Sequence, residues 1–227
     1  MDESPEHPGA DGIRRRQLLR RWFERGDRGF QWRLYRSPWH VLLAEMLLLR
    51  TRADIVARWI PEILTRYPTP NAMAQASQQD VEDVLRPLGL RWRAHRLHEL
   101  ANVIVRGHHG RVPVLYNELI ALPGVGPYVA SVTLSALTGS AVLLTDTNTV
   151  RVAKRVAGLS LGGDVRRTRA VQSAIGALIG GRSVLVDWLA VVDLASAVCL
   201  PRNPRCEICP IRALCSYGLS KEPAAQS

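Results

Sequence analysis

Four cysteines, one isolated aspartate and one glutamate buried in an apolar run are the residues of this chain whose types and spacing could do chemistry. Cys199, Cys206, Cys209 and Cys215 are the only cysteines and fall within 17 residues, spaced C-x6-C-x2-C-x5-C. No charged-then-apolar segment opens the sequence, so it reads as a soluble cytoplasmic protein, in which thiols this crowded bind metal rather than pair as disulfides. Four thiolates suit structural zinc or an iron–sulfur cluster. A zinc ribbon brings two close C-x2-C pairs together, whereas here a single pair is flanked by one cysteine on each side. The loop between the first two cysteines holds Pro201, Arg202, Asn203, Pro204 and Arg205. Fixed by metal, it would offer Arg202 and Arg205 to a phosphate.

Asp146 is the only carboxylate between Glu118 and Asp164. It lies 18 residues beyond Tyr128, the last residue of Leu122-Pro123-Gly124-Val125-Gly126-Pro127-Tyr128. Gly124 and Gly126 permit a tight turn and the close approach of an anionic oxygen. With Val125 between them, they can aim N–H groups at a phosphate from a helix N-terminus. A solitary acid near a phosphate clamp is a catalytic candidate, although an aspartate before a helix also serves as a simple N-cap. Glu45 lies in Val41-Leu42-Leu43-Ala44-Glu45-Met46-Leu47-Leu48-Leu49. An ionised carboxylate there is costly unless hydrogen-bonded, facing a cavity or protonated, so Glu45 reads either as a structural partner or as a pocket acid.

The elements that must position these groups read as helices throughout. Leu115–Ala121 and a segment from Pro127 to about Thr138, with Pro127 at its first position, form a helix-hairpin-helix around the glycines. Ser37 is the expected N-cap and Pro38 the first residue of the helix carrying Glu45. Ile13–Arg25, Ala53–Tyr67, Gln78–Leu88, Arg93–His108, Val150–Val156, Arg169–Gly180 and Trp188–Val198 show helical spacing. Pro68, Pro70, Gly89, Gly107 and Gly110 punctuate them. No segment alternates as a strand, and the predicted class is all-α. Residues 1–12 have a disordered composition.

The net charge of +10 and pI near 10.3 favour a polyanionic partner, with counterion release supplying affinity. Of thirty basic residues only Lys154 and Lys221 are lysines, which limits amine chemistry. Residues 119–145 carry no charge, but Pro123, Gly124, Gly126 and Pro127 interrupt the run and Ser131, Thr133, Ser135 and Thr138 stud it. It therefore reads as a helix buried in protein, and no membrane partner is expected.

The hairpin, the aspartate and the cysteine spacing together resemble the helix-hairpin-helix DNA glycosylases of the endonuclease III superfamily, over roughly residues 30–217. Pro38-Trp39-His40-Val41-Leu42-Leu43-Ala44-Glu45-Met46-Leu47-Leu48-Leu49-Arg50-Thr51 is similar to the segment that carries the pocket glutamate in its mismatch branch. Gly89-Leu90, Arg93-Ala94, Leu97 and Gly110-Arg111-Val112-Pro113 fit the same pattern. The resemblance implies a six-helix barrel over 30–140 and a [4Fe–4S] cluster domain from 13–29 and 141–217, with a flexible tail over 218–227. It implies a cleft between the domains and double-stranded DNA with a mismatched or damaged base as the partner of a monomeric enzyme.

It also implies roles. Asp146 would stabilise the positive charge that develops on deoxyribose when an N-glycosidic bond breaks, and Glu45 would bond or protonate the flipped base. Leu49 and Arg50 match positions from which the family wedges a side chain into the duplex. Tyr128 stands where bifunctional members place a lysine that attacks C1′, so a monofunctional enzyme leaving an abasic site is expected. Tyr128 also resembles the thymine/uracil mismatch enzymes, and only 12 residues follow Cys215, where adenine enzymes usually extend further. Thymine or uracil opposite guanine is the expected target. Adenine excision, an endonuclease III-like activity and a non-catalytic DNA-binding protein are the alternatives.

Overall fold

The computed structural model describes residues 9–26, 29–89, 91–160, 162 and 168–220. Every regular element among them is helical. In chain order these are α1 (Ala10–Arg25), α2 (Pro38–Leu48), α3 (Ala53–Arg66), α4 (Pro70–Gln75), α5 (Gln78–Leu85) and α6 (Arg91–His108). They continue with α7 (Tyr116–Ile120), α8 (Pro127–Thr138), α9 (Thr147–Ala157), α10 (Arg169–Leu178), α11 (Leu185–Ala197) and α12 (Ser216–Leu219), with short 3-10 turns between some of them. The chain divides into two compact units, one of Gly29–Ser140 and one of Met1–Arg28 with Ala141–Ser227.

In the 29–140 unit, α2 is apolar on every side and is buried from Val41 to Leu47. A helix without a polar face must sit inside its domain, and α2 packs against α3 and α8 in the core. Pro38 occupies the first helical position as expected; Ser37 holds the N-cap place, but its side chain makes no capping bond. Its carbonyl accepts from Val41 N–H instead, at 3.0 Å. The sequence treats Pro68 and Pro70 as punctuation, whereas α4 starts at Pro70 with the Thr69 hydroxyl accepting from Ala72 N–H at 3.2 Å. Thr followed by Pro is a helix start, and the helix was hidden by its brevity.

The other unit is built from both ends of the chain. The α1 helix begins at Ala10, three residues before the sequence-based start, so Ala10–Gly12 correct the expected disorder while residues 1–8 lie outside the described set. Close packing explains the extension: a Cβ on Gly12 would stand 2.8 Å from the Ala177 carbonyl oxygen and 2.9 Å from Gly180. Arg15 then donates to the Leu178 and Ala177 carbonyls at 2.8 and 3.0 Å, and Arg20 pairs with buried Asp187 on α11. At the other end, Gly218 and Leu219 belong to α12 rather than to a flexible tail, because Ser216 Oγ donates to the Val156 carbonyl at 2.9 Å and docks α12 on α9. Residues 221–227, and with them Lys221, lie outside the described set. No described helix is long and apolar enough to cross a membrane.

Candidate functional site

In the 29–140 unit, the hairpin between α7 and α8 is built on a type II turn. Val125 N–H donates to the Leu122 carbonyl at 3.1 Å, Pro123 fills the second position, and Gly124 takes φ 76° at the third. That position requires the left-handed region, which glycine reaches without strain. Gly124 and Gly126 N–H groups have no acceptor among the described residues. Val125 differs from its expected role, since its side chain is buried and its N–H is consumed by the turn. It anchors the hairpin. Arg96, absent from the sequence-derived set, stands beside Gly124: a Cβ there would lie 4.0 Å from its Nη1. Its guanidinium carbon also sits 5.4 Å from the centroid of the exposed Trp92 ring. Tyr128, on the first turn of α8, is half-buried against the core.

Glu45 is 9% exposed and carries the most perturbed carboxyl of the chain that is described. Burial pushes it up from 4.5 to about 7, against the pull of the Arg33 guanidinium. It is therefore an acid that exchanges its proton near neutrality. Arg33 sits 5.1 Å from the centroid of Phe30, which stacks on Trp32 at 4.4 Å. The sequence reading passed over these three because their spacing follows a 3-10 turn (Gln31–Leu34) rather than an α-helical face.

The segment after α2 forms a second type II turn. Thr51 N–H donates to the Leu48 carbonyl at 3.3 Å, Leu49 has φ −60° and ψ 114°, and Arg50 has φ 57°. Leu49 is half-buried and Arg50 exposed.

In the other unit, Asp146 is the N-cap of α9. Its Oδ1 accepts from Thr149 N–H at 2.7 Å, and Thr149 Oγ1 accepts from Asp146 N–H at 2.9 Å, a reciprocal capping box. Its Oδ2 accepts from Asn148 Nδ2 at 3.0 Å. The Oδ1 of Asn148 accepts from Arg151 Nη2 at 3.1 Å, and Arg151 Nε donates to the Cys199 carbonyl at 2.9 Å. The carboxylate is thus fixed in orientation, and α9 is tied to the first cysteine. One turn on, Arg155 Nη1 donates to Cys199 Sγ at 3.1 Å and to the Leu200 carbonyl at 2.7 Å, while Nη2 donates to the Pro201 carbonyl at 3.0 Å. Asn148, Arg151 and Arg155 were not anticipated, since their partners lie more than forty residues away or depend on the cap geometry. Lys154, between them, is half-buried on α9.

The four thiols line one cavity together with Arg155, Arg205, Arg212 and Tyr217. Among the described residues no three His, Cys, Asp or Glu side chains converge tightly enough for a single metal ion. Four thiols around one cavity suit a polynuclear iron–sulfur cluster or tetrahedral zinc, and a single C-x2-C pair with one cysteine on each side favours the cluster. Burial pushes the Cys209 thiol up to about 11 and raises Cys206 and Cys215 for the same leading reason. Iron ligation supplies the compensating charge that lets such thiols ionise. Arg202 and Arg205 are exposed on the loop that Arg155 pins, with Asn203 at φ 48° between them. Glu45, Tyr128, the hairpin and the Leu49–Arg50 turn belong to one unit; Asp146, the cysteines, Arg202 and Arg205 belong to the other.

A family model described as HhH-GPD superfamily base excision DNA repair protein matches residues 43–171, and one described as the iron-sulfur binding domain of endonuclease III matches residues 199–215. The thymine-DNA glycosylase of Aeropyrum pernix is 36% identical over 207 residues, 89% of this chain and 93% of that protein. The thymine/uracil-DNA glycosylase of Pyrobaculum aerophilum is 33% identical over 208 residues, covering 89% and 90%. An adenine DNA glycosylase of Mycobacterium tuberculosis is 38% identical over 194 residues, covering 84% of this chain and 63% of that one. The solved structure of a thermostable thymine-DNA glycosylase superposes with TM-score 0.82 at 27% identity, covering 93% and 98% of the two chains.

Proposed function

The chain belongs to the HhH-GPD superfamily of base excision DNA repair proteins, and from that premise we propose that it removes thymine or uracil mispaired with guanine. It is a DNA glycosylase, hydrolysing the bond between a base and deoxyribose, and it holds a [4Fe–4S] cluster on Cys199, Cys206, Cys209 and Cys215. When bound, the cluster supplies a rigid crosslink for the loop that carries Arg202 and Arg205.

Hydrolysis leaves positive charge on the sugar as the base departs with the bonding electrons. The Asp146 carboxylate stabilises that charge and orients the attacking water. Its value lies in preorganisation, because two hydrogen bonds already hold both of its oxygens. Glu45 gives a hydrogen bond or its proton to the departing base, a task suited to an acid with a value of about 7. Gly124, Gly126, Arg202 and Arg205 grip phosphates, Val125 anchors the hairpin, and Leu49 and Arg50 fill the space the flipped base leaves. A mismatch lowers the cost of flipping and so supplies part of the selectivity.

The observation that carries the monofunctional reading is Tyr128 at the start of α8. A phenol does not form the Schiff base through which a lysine cleaves the strand. We read the enzyme as a monomer acting on duplex DNA in the cytoplasm. Adenine excision is the second reading, favoured by the adenine DNA glycosylase relative. Labelled duplexes with G·T, G·U, A opposite 8-oxoguanine and oxidised pyrimidines, followed by hot alkali, separate these. Breaks only after alkali at G·T and G·U support the proposal; breaks only opposite 8-oxoguanine support the second reading, and breaks before alkali overturn monofunctionality.

A further inference from the structure

Arg93 is a long cationic side chain with 2% exposure. A guanidinium this enclosed needs acceptors; its Nε has none among the described residues, and its two terminal nitrogens find theirs at one place. Its Nη1 donates to the Leu47 carbonyl at 2.9 Å and to Thr51 Oγ1 at 2.6 Å, and its Nη2 donates to the Leu49 carbonyl. These acceptors bracket the type II turn at the end of α2. The last carbonyls of a helix are its negative end, so a buried cation there is compensated without a carboxylate.

The turn it brackets is under strain. The third position of a type II turn favours glycine, as Gly124 illustrates in the hairpin. Arg50 occupies that position with φ 57°, a left-handed conformation that an L side chain adopts only at a cost. Strained backbone persists only where its surroundings over-determine it. Arg93 supplies that constraint from within the core, with bonds just before the turn, within it and at its last residue.

We propose that Arg93 is a positioning residue that presets the Leu49–Arg50 turn in the shape needed to enter the duplex, so that base extrusion requires no loop ordering. This rests on the reading of Leu49 and Arg50 as the residues that replace the flipped base. A turn already formed spares the ordering cost that a loose loop pays on binding. Arg93 therefore acts on the extrusion step and touches neither the base nor the sugar. Thr51, through its hydroxyl, shares the task.

The test follows extrusion separately from bond cleavage. A 2-aminopurine placed beside the uracil of a G·U duplex reports unstacking by stopped-flow fluorescence, and single-turnover excision reports the overall rate. Arg93→Met and Thr51→Val are each compared with the unaltered protein, and Arg93→Met is repeated in a Leu49→Ala background. Arg93→Met is expected to slow extrusion about 10-fold or more, and Thr51→Val about 3-fold; the Arg93→Met effect shrinks below about 3-fold once Leu49 is gone, as coupled residues require. The same loss factor in both backgrounds overturns the inference and leaves the glycosylase reading intact. Should Arg93→Met fail to fold, Thr51→Val decides: unchanged extrusion overturns the inference. No excision by the unaltered protein from any mismatched duplex overturns the glycosylase reading, and this inference with it.

Discussion

Asn148 Nδ2 donates to Asp146 Oδ2 at 3.0 Å, across the first turn of the helix that Asp146 caps. With Thr149 N–H on the other oxygen, the carboxylate has little freedom left. Asp146→Asn preserves an N-cap and a side-chain oxygen, so the unfolding free energy should change little, by about 0.5 kcal/mol or less. Loss of the negative charge should lower single-turnover excision by roughly a thousandfold or more while DNA binding in a mobility-shift assay persists. A fully active Asn variant would remove Asp146 from the mechanism.

Glu45 makes a prediction about pH. Its carboxyl is raised from 4.5 to about 7 by burial, so the folded protein binds a proton that the unfolded chain has released across that window. Stability is therefore full below about 4.5, falls as the pH rises through about 7, and is flat above, with a total near 3 kcal/mol. Excision that uses the neutral acid should decline over the same upper limb. Glu45→Gln should flatten both profiles and lower the rate; profiles that keep their slope in the Gln variant would show that another group titrates.

Tyr128 makes a prediction about chemistry. Tyr128→Lys places an amine at the start of α8, where the family's strand-cleaving members carry one. Borohydride should then trap a covalent protein–DNA adduct that the unaltered enzyme does not form, since a lysine attacks C1′ to give an imine. Absence of an adduct in a folded, DNA-binding variant would show that position 128 does not reach the sugar.

The cysteine cavity makes a prediction about stability. Cys209→Ser should drop iron and sulfide per chain and destabilise the unit containing α9 to α12 by several kcal/mol, roughly 2–5, because cluster binding is folding free energy for a short loop-rich segment. Iron and sulfide analysis with thermal melts checks both. Arg155→Ala should keep the cysteines but loosen Cys199 to Pro201, where it supplies three hydrogen bonds.

Arg50→Gly should gain up to about 1 kcal/mol in a denaturant melt, because relief of left-handed strain exceeds the extra freedom glycine has when unfolded. It should also slow extrusion of the target base. A variant that is both less stable and equally fast would contradict the strain at φ 57°.

Local chemistry was legible in the sequence where one residue's physics stands alone. Glu45 announces itself as a carboxyl among eight apolar neighbours in Val41–Leu49, Asp146 as the cap before Thr147-Asn148-Thr149, and the cysteines by their spacing. Pro38 and Pro127 mark helix starts that the structure reproduces. What could not be read are the residues whose meaning is relational. Arg93 looks like any arginine of a basic helix until the Leu47 and Leu49 carbonyls, more than forty residues away, are seen to converge on it. Arg151 and Arg155 are hidden for the same reason, and Val125 misleads because an N–H at a glycine turn can be spent within the turn itself.

The fit of Gly12 against Gly180 carries a consequence for synthesis. Helix α1 is synthesised before the whole 29–140 unit, whereas α10 and α11, on which it packs, come after that unit. The unit from Gly29 to Ser140 can mature while α1 still waits for its partners, so the usual order of assembly from the N-terminus is inverted here. A waiting α1, with Leu19 and Phe23 uncovered, is the segment through which a stalled nascent chain would engage a chaperone.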